Sequence, residues 1–334
     1  MMLATSLEIS DFLQRAGWAE ACRASLAGDA SARRYERLTR GTDRAVLMVA
    51  PRGDDPRRFT RMARWLWDHG FSAPQILAEA PEAGLLLLED LGDDLVSRLI
   101  AADPAREAPL YAEITGFLTA LRALPPPDFL APLDGPQLAE LVRLTPEWYP
   151  TLSRDAAEAL PAALQARFEA LDDGLRATCL RDFHAENALW LPDRTGVARL
   201  GLLDFQDAVI CHPAYDLVSA LQDARRDVSP AVEAVELARY AQLNGLEQSR
   251  FSAIYALLGV QRALRILGIF ARLCLAMGKP GYTDLMPRSW AYIARNLIHP
   301  ELAALAPTVR AALPAPTPEI IERIKAECGL HPML

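Results

Sequence analysis

A short segment near the middle of the chain constrains its fold more than any other. Asp182 precedes Asn187 by five residues, and Asp204 follows Asn187 by seventeen. The residues between the amide and the second acid predict a strand over 188–191, a turn, and a second strand over 197–203. Because a hairpin brings its two ends together, we expect these three polar side chains to lie at one end of it.

These three side chains match the chemistry of phosphoryl transfer. The reaction needs an acid that accepts the proton of a hydroxyl group, and an amide and a second acid that hold Mg²⁺ through oxygen atoms. We therefore predict Asp182 as the general base, with Asn187 and Asp204 as the metal ligands. Either acid alone would be better explained as a turn or cap residue, but the combined spacing favours the catalytic interpretation.

Composition limits the classes of partner. The chain has 334 residues, 51% of them hydrophobic, so it can bury one large core or two modest ones. Its net charge of −8 argues against nucleic acid or an anionic membrane surface as a partner. The five cysteines form no CxxC pair, which is typical of a reducing cytosol. With no basic leader and no apolar run of membrane-spanning length, we expect a soluble, cytoplasmic monomer.

The N-terminal part alternates strand-like runs with turns. Strands are predicted over 21–26, 33–39, 45–50, 75–78 and 85–89. One helix is predicted over 57–69, with Asp54 or Asp55 as its cap and Pro56 in its first turn. This pattern predicts a small α+β domain over residues 1–91.

Beyond residue 91 the pattern becomes mostly helical, apart from the central hairpin. Helices are predicted over 94–101, 108–124, 136–144, 155–175, 214–222, 231–243, 251–277, 283–297 and 318–328. We therefore expect a second domain over 92–334. The fold class is α+β in two lobes, a small lobe built on an antiparallel sheet and a larger, mostly helical lobe.

Three motifs carry a resemblance to a known family: Leu180-x-Asp182-x4-Asn187, Leu203-Asp204-Phe205-Gln206-Asp207 and Pro213-Ala214-Tyr215-Asp216-Leu217. They are similar to the aminoglycoside phosphotransferase-like branch of the protein-kinase-like fold. Other, less specific segments are similar to the N-acetylmuramate/N-acetylglucosamine anomeric kinases of cell-wall recycling. These lie at Asp29-Ala30-Ser31-x-Arg33-Arg34-Tyr35, Leu47-Met48-x-Ala50-Pro51, Leu88-x-Asp90-Leu91-Gly92, Leu267 to Leu273 and Lys279-Pro280-Gly281-Tyr282.

The resemblance implies that ATP and Mg²⁺ bind between the two lobes. The adenine would meet backbone groups of the link from Glu89 to Leu91, and the phosphates would lie under the first hairpin. No GxGxxG segment covers the phosphates in this sequence, and the hairpin offers only small residues such as Ser31 at that place. The resemblance also implies an amino-sugar hydroxyl, at the anomeric carbon, as the acceptor.

The sequence departs from protein kinases at the cation that pairs with the phosphates. Met48 holds the position expected for a Lys, and the helix over 57–69 lacks the usual Glu partner. Losing both residues together avoids an unpaired buried charge. Arg33 and Arg34 are the nearest replacements. Adjacent side chains on a strand point to opposite faces, so only one of them should face the nucleotide, and the sequence leaves open which.

Four further residues are candidates for contacts with the acceptor. His184 lies inside the catalytic loop, and Asp207 follows the second metal ligand. Arg262 and Arg265 share a helix face and could hold the lactyl carboxylate of N-acetylmuramate. The alternatives are a packed structural histidine, a turn acid, and a charged helix face turned toward water.

Two other functions stay open at this point. One is the same chemistry on another alcohol, such as an aminoglycoside, choline or homoserine. An aminoglycoside pocket should carry many acids, whereas the C-terminal helices here carry several arginines. The other is a weakly active protein that senses nucleotides, suggested by the missing Lys. The presence of Asp182, Asn187 and Asp204 together argues against it.

Overall fold

The computed structural model describes residues 3–26 and 33–332. Its contacts divide the chain into two compact units. The first contains residues 1–117 and 180–208, and the second contains 118–179 and 209–334. Each unit is therefore assembled from two separate stretches of chain.

An antiparallel sheet of five strands forms the first part of unit one, as predicted. The strands are β1 (Cys22–Leu26), β2 (Arg34–Arg40), β3 (Asp43–Val49), β4 (Ile76–Ala80) and β5 (Leu85–Glu89). They are ordered β1-β2-β3-β5-β4. In this register Tyr35 lies opposite Met48, and Ala45 lies opposite Glu89. The sheet ends at Glu89, so β5 delivers the chain directly into the predicted nucleotide link.

The two faces of the sheet carry different sets of residues. On one face, the apolar side chains of α1 (Ser6–Arg15) pack against strand residues such as Leu47 and Leu87 in a single hydrophobic core. Strand alternation places Tyr35 and Met48 on the opposite face. Met48 is fully buried there.

Helix α2 (Asp55–Asp68) begins where the sequence predicts it, with Pro56 in its first turn. It buries an apolar stripe that includes Phe59, Met62 and Leu66. The predicted acid is at the cap position: Asp54 is the cap residue, although its side chain makes no capping hydrogen bond. The Asp55 carboxylate binds arginine side chains instead.

A second hairpin, β7 (Ala188–Trp190) with β8 (Leu200–Leu202), belongs to the same unit as the sheet. It is the predicted central hairpin, with shorter strands and a 3₁₀ turn over Gly196–Arg199. Leu202 N–H donates to Ser72 C=O at 2.9 Å, and Trp190 N–H donates to Asp94 C=O at 2.8 Å. These bonds tie the hairpin to residues on both sides of the predicted boundary at 91. The contact-based division therefore differs from that boundary.

The helices α3 (Val96–Ala102) and α4 (Glu107–Arg122) follow the sheet. The helices of the second unit are α5 (Gly135–Glu140), α6 (Leu144–Trp148), α7 (Arg154–Leu171), α8 (Ala214–Leu221), α9 (Pro230–Leu243), α10 (Gln248–Leu275), α11 (Met286–Asn296), α12 (Ala306–Ala312) and α13 (Pro318–Ala326). A two-stranded ladder pairs β6 (Ala177–Cys179) with β9 (Val209–Cys211). The predicted helices are confirmed with shifted ends, whereas α6, α12 and this ladder are additions.

Helix α10 is the core helix of the second unit. By length and composition it could cross a membrane, since its most apolar 18 residues have a mean hydropathy of 1.5, contrary to the sequence-based expectation of no such run. In the most apolar part of the helix, 83% of the residues are buried inside the protein. Its apolar character is thus used for packing against α6, α8 and α11.

Gly84 offers a test of the hairpin that leads into β5. Its φ of +75° suits glycine, and a Cβ there would overlap the carbonyl oxygen of Ala50. We expect Gly84→Ala to lower the free energy of unfolding by about 2–4 kcal/mol, measured by urea denaturation.

Gly70→Ala is the matched control, because Gly70 also has a positive φ but open space at its Cβ position. It should cost about 1 kcal/mol, the conformational penalty alone. Equal losses in the two variants would contradict the proposed overlap.

Candidate functional site

The loop over 182–187, the predicted catalytic loop, is held together by hydrogen bonds from Asn187. Asn187 Nδ2 donates to the backbone carbonyl of Asp182 at 2.8 Å, and Asn187 N–H donates to His184 C=O at 2.8 Å. Arg181, immediately before the acid, has a left-handed backbone with φ of 72°. This uncommon conformation reverses the chain just before Asp182. The amide nitrogen of Asn187 is thereby used in the loop, while its Oδ1 has no hydrogen bond within the described residues.

The second loop begins beside the first. Leu203 N–H donates to Asn187 C=O at 2.9 Å, which extends the β7–β8 pairing by one step. Asp204 follows with φ of 55°, another left-handed non-glycine residue, and 44% of its side chain is exposed. Gln206 Nε2 donates to Asp204 Oδ1 at 2.8 Å. The prediction that Asn187 and Asp204 lie at the same end of a hairpin is confirmed.

The donor atoms at this end fit a magnesium ion. Mg²⁺ is a hard cation that binds carboxylate and amide oxygens and keeps several waters. The free Oδ1 of Asn187 and the exposed carboxylate of Asp204 are donors of that kind. Their roles as metal ligands remain predictions.

The open choice between Arg33 and Arg34 has a structural answer. Arg33 Nη1 lies 3.0 Å from Asp204 Oδ1, and its side chain is only 7% exposed. Arg34 is 48% exposed, and its charged partner is Glu36 on the same strand, at 3.6 Å. As strand alternation predicts, the two arginines point in different directions. Arg33 is the one that contacts the loop over 204–207, the predicted metal loop.

Arg33 also forms a two-point ion pair with Asp55 at the start of α2. Its Nε and Nη2 donate to the two carboxylate oxygens at 2.8 and 2.7 Å. Burial alone would lower the pKa of Arg33, but the hydrogen bonds to Asp55 raise it above its ordinary value. Burial raises the pKa of the adjacent Tyr35 hydroxyl, and the charge of Arg33 partly offsets this effect. Arg33 is therefore charged at every physiological pH.

Asp207 is bound by a second arginine, Arg58, which lies in α2. Arg58 Nη1 lies 2.5 Å from Asp207 Oδ1, and Arg58 Nη2 lies 3.4 Å from Asp55 Oδ1. Sequence reasoning found neither Asp55 nor Arg58 as a site residue. The sequence comparison with protein kinases expects a Glu within the helix over 57–69. The acid that binds the buried Arg33 is instead Asp55, at the first position of the helix. An acid and an arginine three residues apart at a helix start were the available signal.

The link after β5 is held by ion pairs on both sides. Arg194 lies 2.5 Å from Glu89 and also donates to Ser72 Oγ at 2.7 Å. Arg37 lies 2.7 Å from Asp90, whose side chain is buried. Between these anchors, the backbone N–H and C=O of Leu91 make no hydrogen bond to any described residue. Both groups are available to a ligand. Ser31, the other predicted nucleotide contact, lies outside the described residues.

The predicted acceptor contacts have different surroundings. His184 is buried within the catalytic loop, where its Nδ1 accepts from Glu186 N–H at 3.3 Å. Arg262 is also buried, with its guanidinium 5.4 Å from the ring centre of Tyr215. Arg265 is half-buried on the same helix, α10 of the second unit. The alternative of a water-facing helix surface is therefore wrong for Arg262.

An aromatic side chain anchors each loop immediately after its acid. Phe183 stacks on Phe117 with 4.9 Å between ring centres, and Phe117 contacts Phe71. Phe205 packs against Phe59 of α2 at 4.8 Å. Because both phenylalanines are buried, the acids beside them are held at fixed positions.

The fold and this site place the chain in a known class of enzyme. Residues 24–251 match the model of the phosphotransferase enzyme family, and the chain belongs to that family. The resemblance predicted from the motifs is thus confirmed, and the protein is a phosphotransferase. Its fold is kinase-like: the structure of a choline/ethanolamine kinase family protein from Mesorhizobium loti matches with a TM-score of 0.64. That match has 17% identity and covers 91% of this chain and 99% of the other.

Two curated relatives narrow the comparison further. A protein of Caulobacter vibrioides named N-acetylmuramate/N-acetylglucosamine kinase is 42% identical, over 88% of this chain and 93% of its own length. A protein of Pseudomonas aeruginosa with the same name is 33% identical, over 86% of this chain and 89% of its own length. The similarity covers nearly the whole of each chain.

Phe205 tests the anchoring of the metal loop. We expect Phe205→Ala to lower the free energy of unfolding by about 3–5 kcal/mol, because it leaves a cavity beside Phe59. Chemical denaturation followed by circular dichroism measures the loss. Leu203→Ala is the control from the same loop. Leu203 is exposed, so this change should cost less than about 1 kcal/mol. A loss as small for Phe205→Ala would contradict the anchoring role.

Proposed function

We propose that this protein is an ATP-dependent kinase of an amino sugar. The acceptor is the anomeric hydroxyl of N-acetylmuramate, N-acetylglucosamine or both. The observation that carries the proposal is at one end of the β7–β8 hairpin, where Asn187 binds the backbone carbonyl of Asp182 and pairs with Leu203, the residue before Asp204. The names of the two curated relatives support the choice of sugar.

The nucleotide site is proposed from residues of the first unit alone. The unbonded N–H and C=O of Leu91 suit the edge of an adenine ring, next to the fixed side chain of Glu89. Arg33 would face the phosphates, and Asn187 Oδ1 with the Asp204 carboxylate would hold Mg²⁺. When bound, that ion would neutralise charge on the β- and γ-phosphates.

Asp182 has the role of the base in this proposal. It orients the sugar hydroxyl and takes its proton as the hydroxyl oxygen bonds to the γ-phosphorus. The bond from that phosphorus to the bridging oxygen breaks, ADP leaves with the electron pair, and the proton passes from Asp182 to water. Positioning and electrostatic stabilisation provide the rate enhancement, so no covalent enzyme intermediate forms.

The remaining assignments follow from the acceptor. His184 and Asp207 would contact sugar hydroxyls, and Arg262 with Arg265 would bind the lactyl carboxylate that distinguishes N-acetylmuramate. All five cysteines are free thiols, which suits a cytoplasmic enzyme that uses cellular ATP. We propose that it works as a monomer on sugars recovered from peptidoglycan, without nucleic acid or membrane partners.

Turnover of ATP with each sugar tests the function. Wild type should release ADP when N-acetylmuramate or N-acetylglucosamine is present, measured in a coupled ADP assay. Asp182→Asn should reduce kcat by about 10²- to 10⁴-fold, because the amide cannot accept the proton, while ADP still binds. Choline, homoserine and an aminoglycoside are the comparison acceptors. Faster turnover with one of these would transfer the assignment to that alcohol, and full activity of the variant would overturn the role of Asp182.

The methyl glycosides of the two sugars test the position of attack. They lack the free anomeric hydroxyl and keep every other one. We expect no phosphorylated product from them by ³¹P NMR, under conditions where the free sugars are converted. A phosphomonoester formed on either glycoside would show that another hydroxyl is the acceptor.

A further inference from the structure

Five charged side chains form one alternating chain across the site. Its order is Asp204, Arg33, Asp55, Arg58 and Asp207. The contacts are 3.0, 2.7, 3.4 and 2.5 Å along this order. Both ends of the chain lie on the metal loop, and its middle residue, Asp55, lies at the first position of α2. Asp55 therefore connects the helix to both acids of the loop.

The contacts of Arg33 are unequal. Two of its nitrogens, Nε and Nη2, bind Asp55 as a fork, and only Nη1 is directed to Asp204. The guanidinium is almost fully buried on the Asp55 side, whereas Asp204 is substantially exposed. A bidentate arginine–carboxylate pair has a fixed geometry and is stronger than a single contact. Asp55 thus sets the position of Arg33, and the contact with Asp204 is the more easily exchanged one.

We propose that Asp55 is a positioning residue for Arg33 in nucleotide binding. This inference rests on the proposed function. Arg33 and Asp55 take the part that a strand Lys and a helix Glu have in other kinases, with the acid moved to the start of the helix. Asp55 keeps the buried guanidinium in place while Nη1 exchanges its partner, from Asp204 to a phosphate oxygen. Without Asp55, Asp204 would be the remaining carboxylate known to bind Arg33, and Arg33 would compete with Mg²⁺ for it.

An ion pair with a purely structural role would not need this arrangement. Arg64 of α2 forms such a pair with Glu79 of β4, at 2.8 Å and on the protein surface. Exposed pairs of that kind contribute little to stability. Arg33 instead has two acidic partners, one of which is a predicted metal ligand.

The test measures the binding of ADP by fluorescence, with a range of Mg²⁺ concentrations and no sugar. Asp55→Asn should raise the dissociation constant of Mg·ADP by about tenfold or more, because a charge-assisted contact becomes a neutral one. It should also raise the Mg²⁺ concentration that gives half-maximal binding. The matched control, Glu79→Gln, makes the same kind of chemical change in the β4 partner of an α2 arginine and should alter both values by less than about twofold.

Two results would overturn the inference. One is an Asp55→Asn protein that melts cooperatively and binds Mg·ADP as the wild type does. If that variant does not fold, Arg33→Lys provides the second test. A Lys ammonium cannot bind Asp55 as a fork and reach Asp204 at once, so binding should weaken to a similar extent; unchanged binding would contradict the proposal.

This experiment is separate from the question of the acceptor. Weakened Mg·ADP binding in Asp55→Asn would support the role of Asp55 even if neither amino sugar were phosphorylated. Absence of Mg·ADP binding in the wild type would instead contradict the nucleotide site and this inference together.

Discussion

The hydrogen bond from Leu203 N–H to Asn187 C=O is the contact on which the site depends. It joins the last residue of the catalytic loop to the residue before Asp204. The β7–β8 ladder beneath it has only three residue pairs, too few to be stable alone. Bonds from the hairpin to Ser72 and Asp94, and the packing of Phe183 and Phe205, supply the rest of its support.

Charge is arranged around this hairpin so that few ions are buried alone. The side chain of Arg33 is almost fully buried. Removing the partner of a buried ion strongly destabilises a protein, because it leaves the other charge buried and uncompensated. Asp55 binds Arg33 through two of its nitrogens, and Asp204 binds it through one. The same constraint applies to Met48: a cation at that fully buried strand position would need a buried acidic partner of its own.

Features that depend on short-range interactions could be predicted from the sequence, and those that depend on long-range contacts could not. Asp182, Asn187 and Asp204 could be found because a short hairpin relates them locally, and the strands could be found from turns and alternation. Asp55 was taken for a helix cap because that is the local role of an acid at a helix start. Its contact with Arg33 joins residues on either side of the β2–β3 hairpin, and no local pattern relates an acid at a helix start to an arginine before a distant strand. Arg262 could not be placed because the pattern of α10 does not show which of its polar residues are enclosed by neighbouring helices.

By itself the sequence determined that the chemistry is phosphoryl transfer. That reaction needs particular side chains, and they occur at the expected spacing within one continuous segment of the chain. The sequence also determined the two-part α+β fold, because periodicity and turn residues act over short distances. Only the tertiary structure distinguished Arg33 from Arg34 and showed that Asp55 binds Arg33. It also assigned the catalytic hairpin to the unit that contains the sheet. Those facts depend on which buried surfaces meet, and packing between distant segments is not encoded in any local pattern.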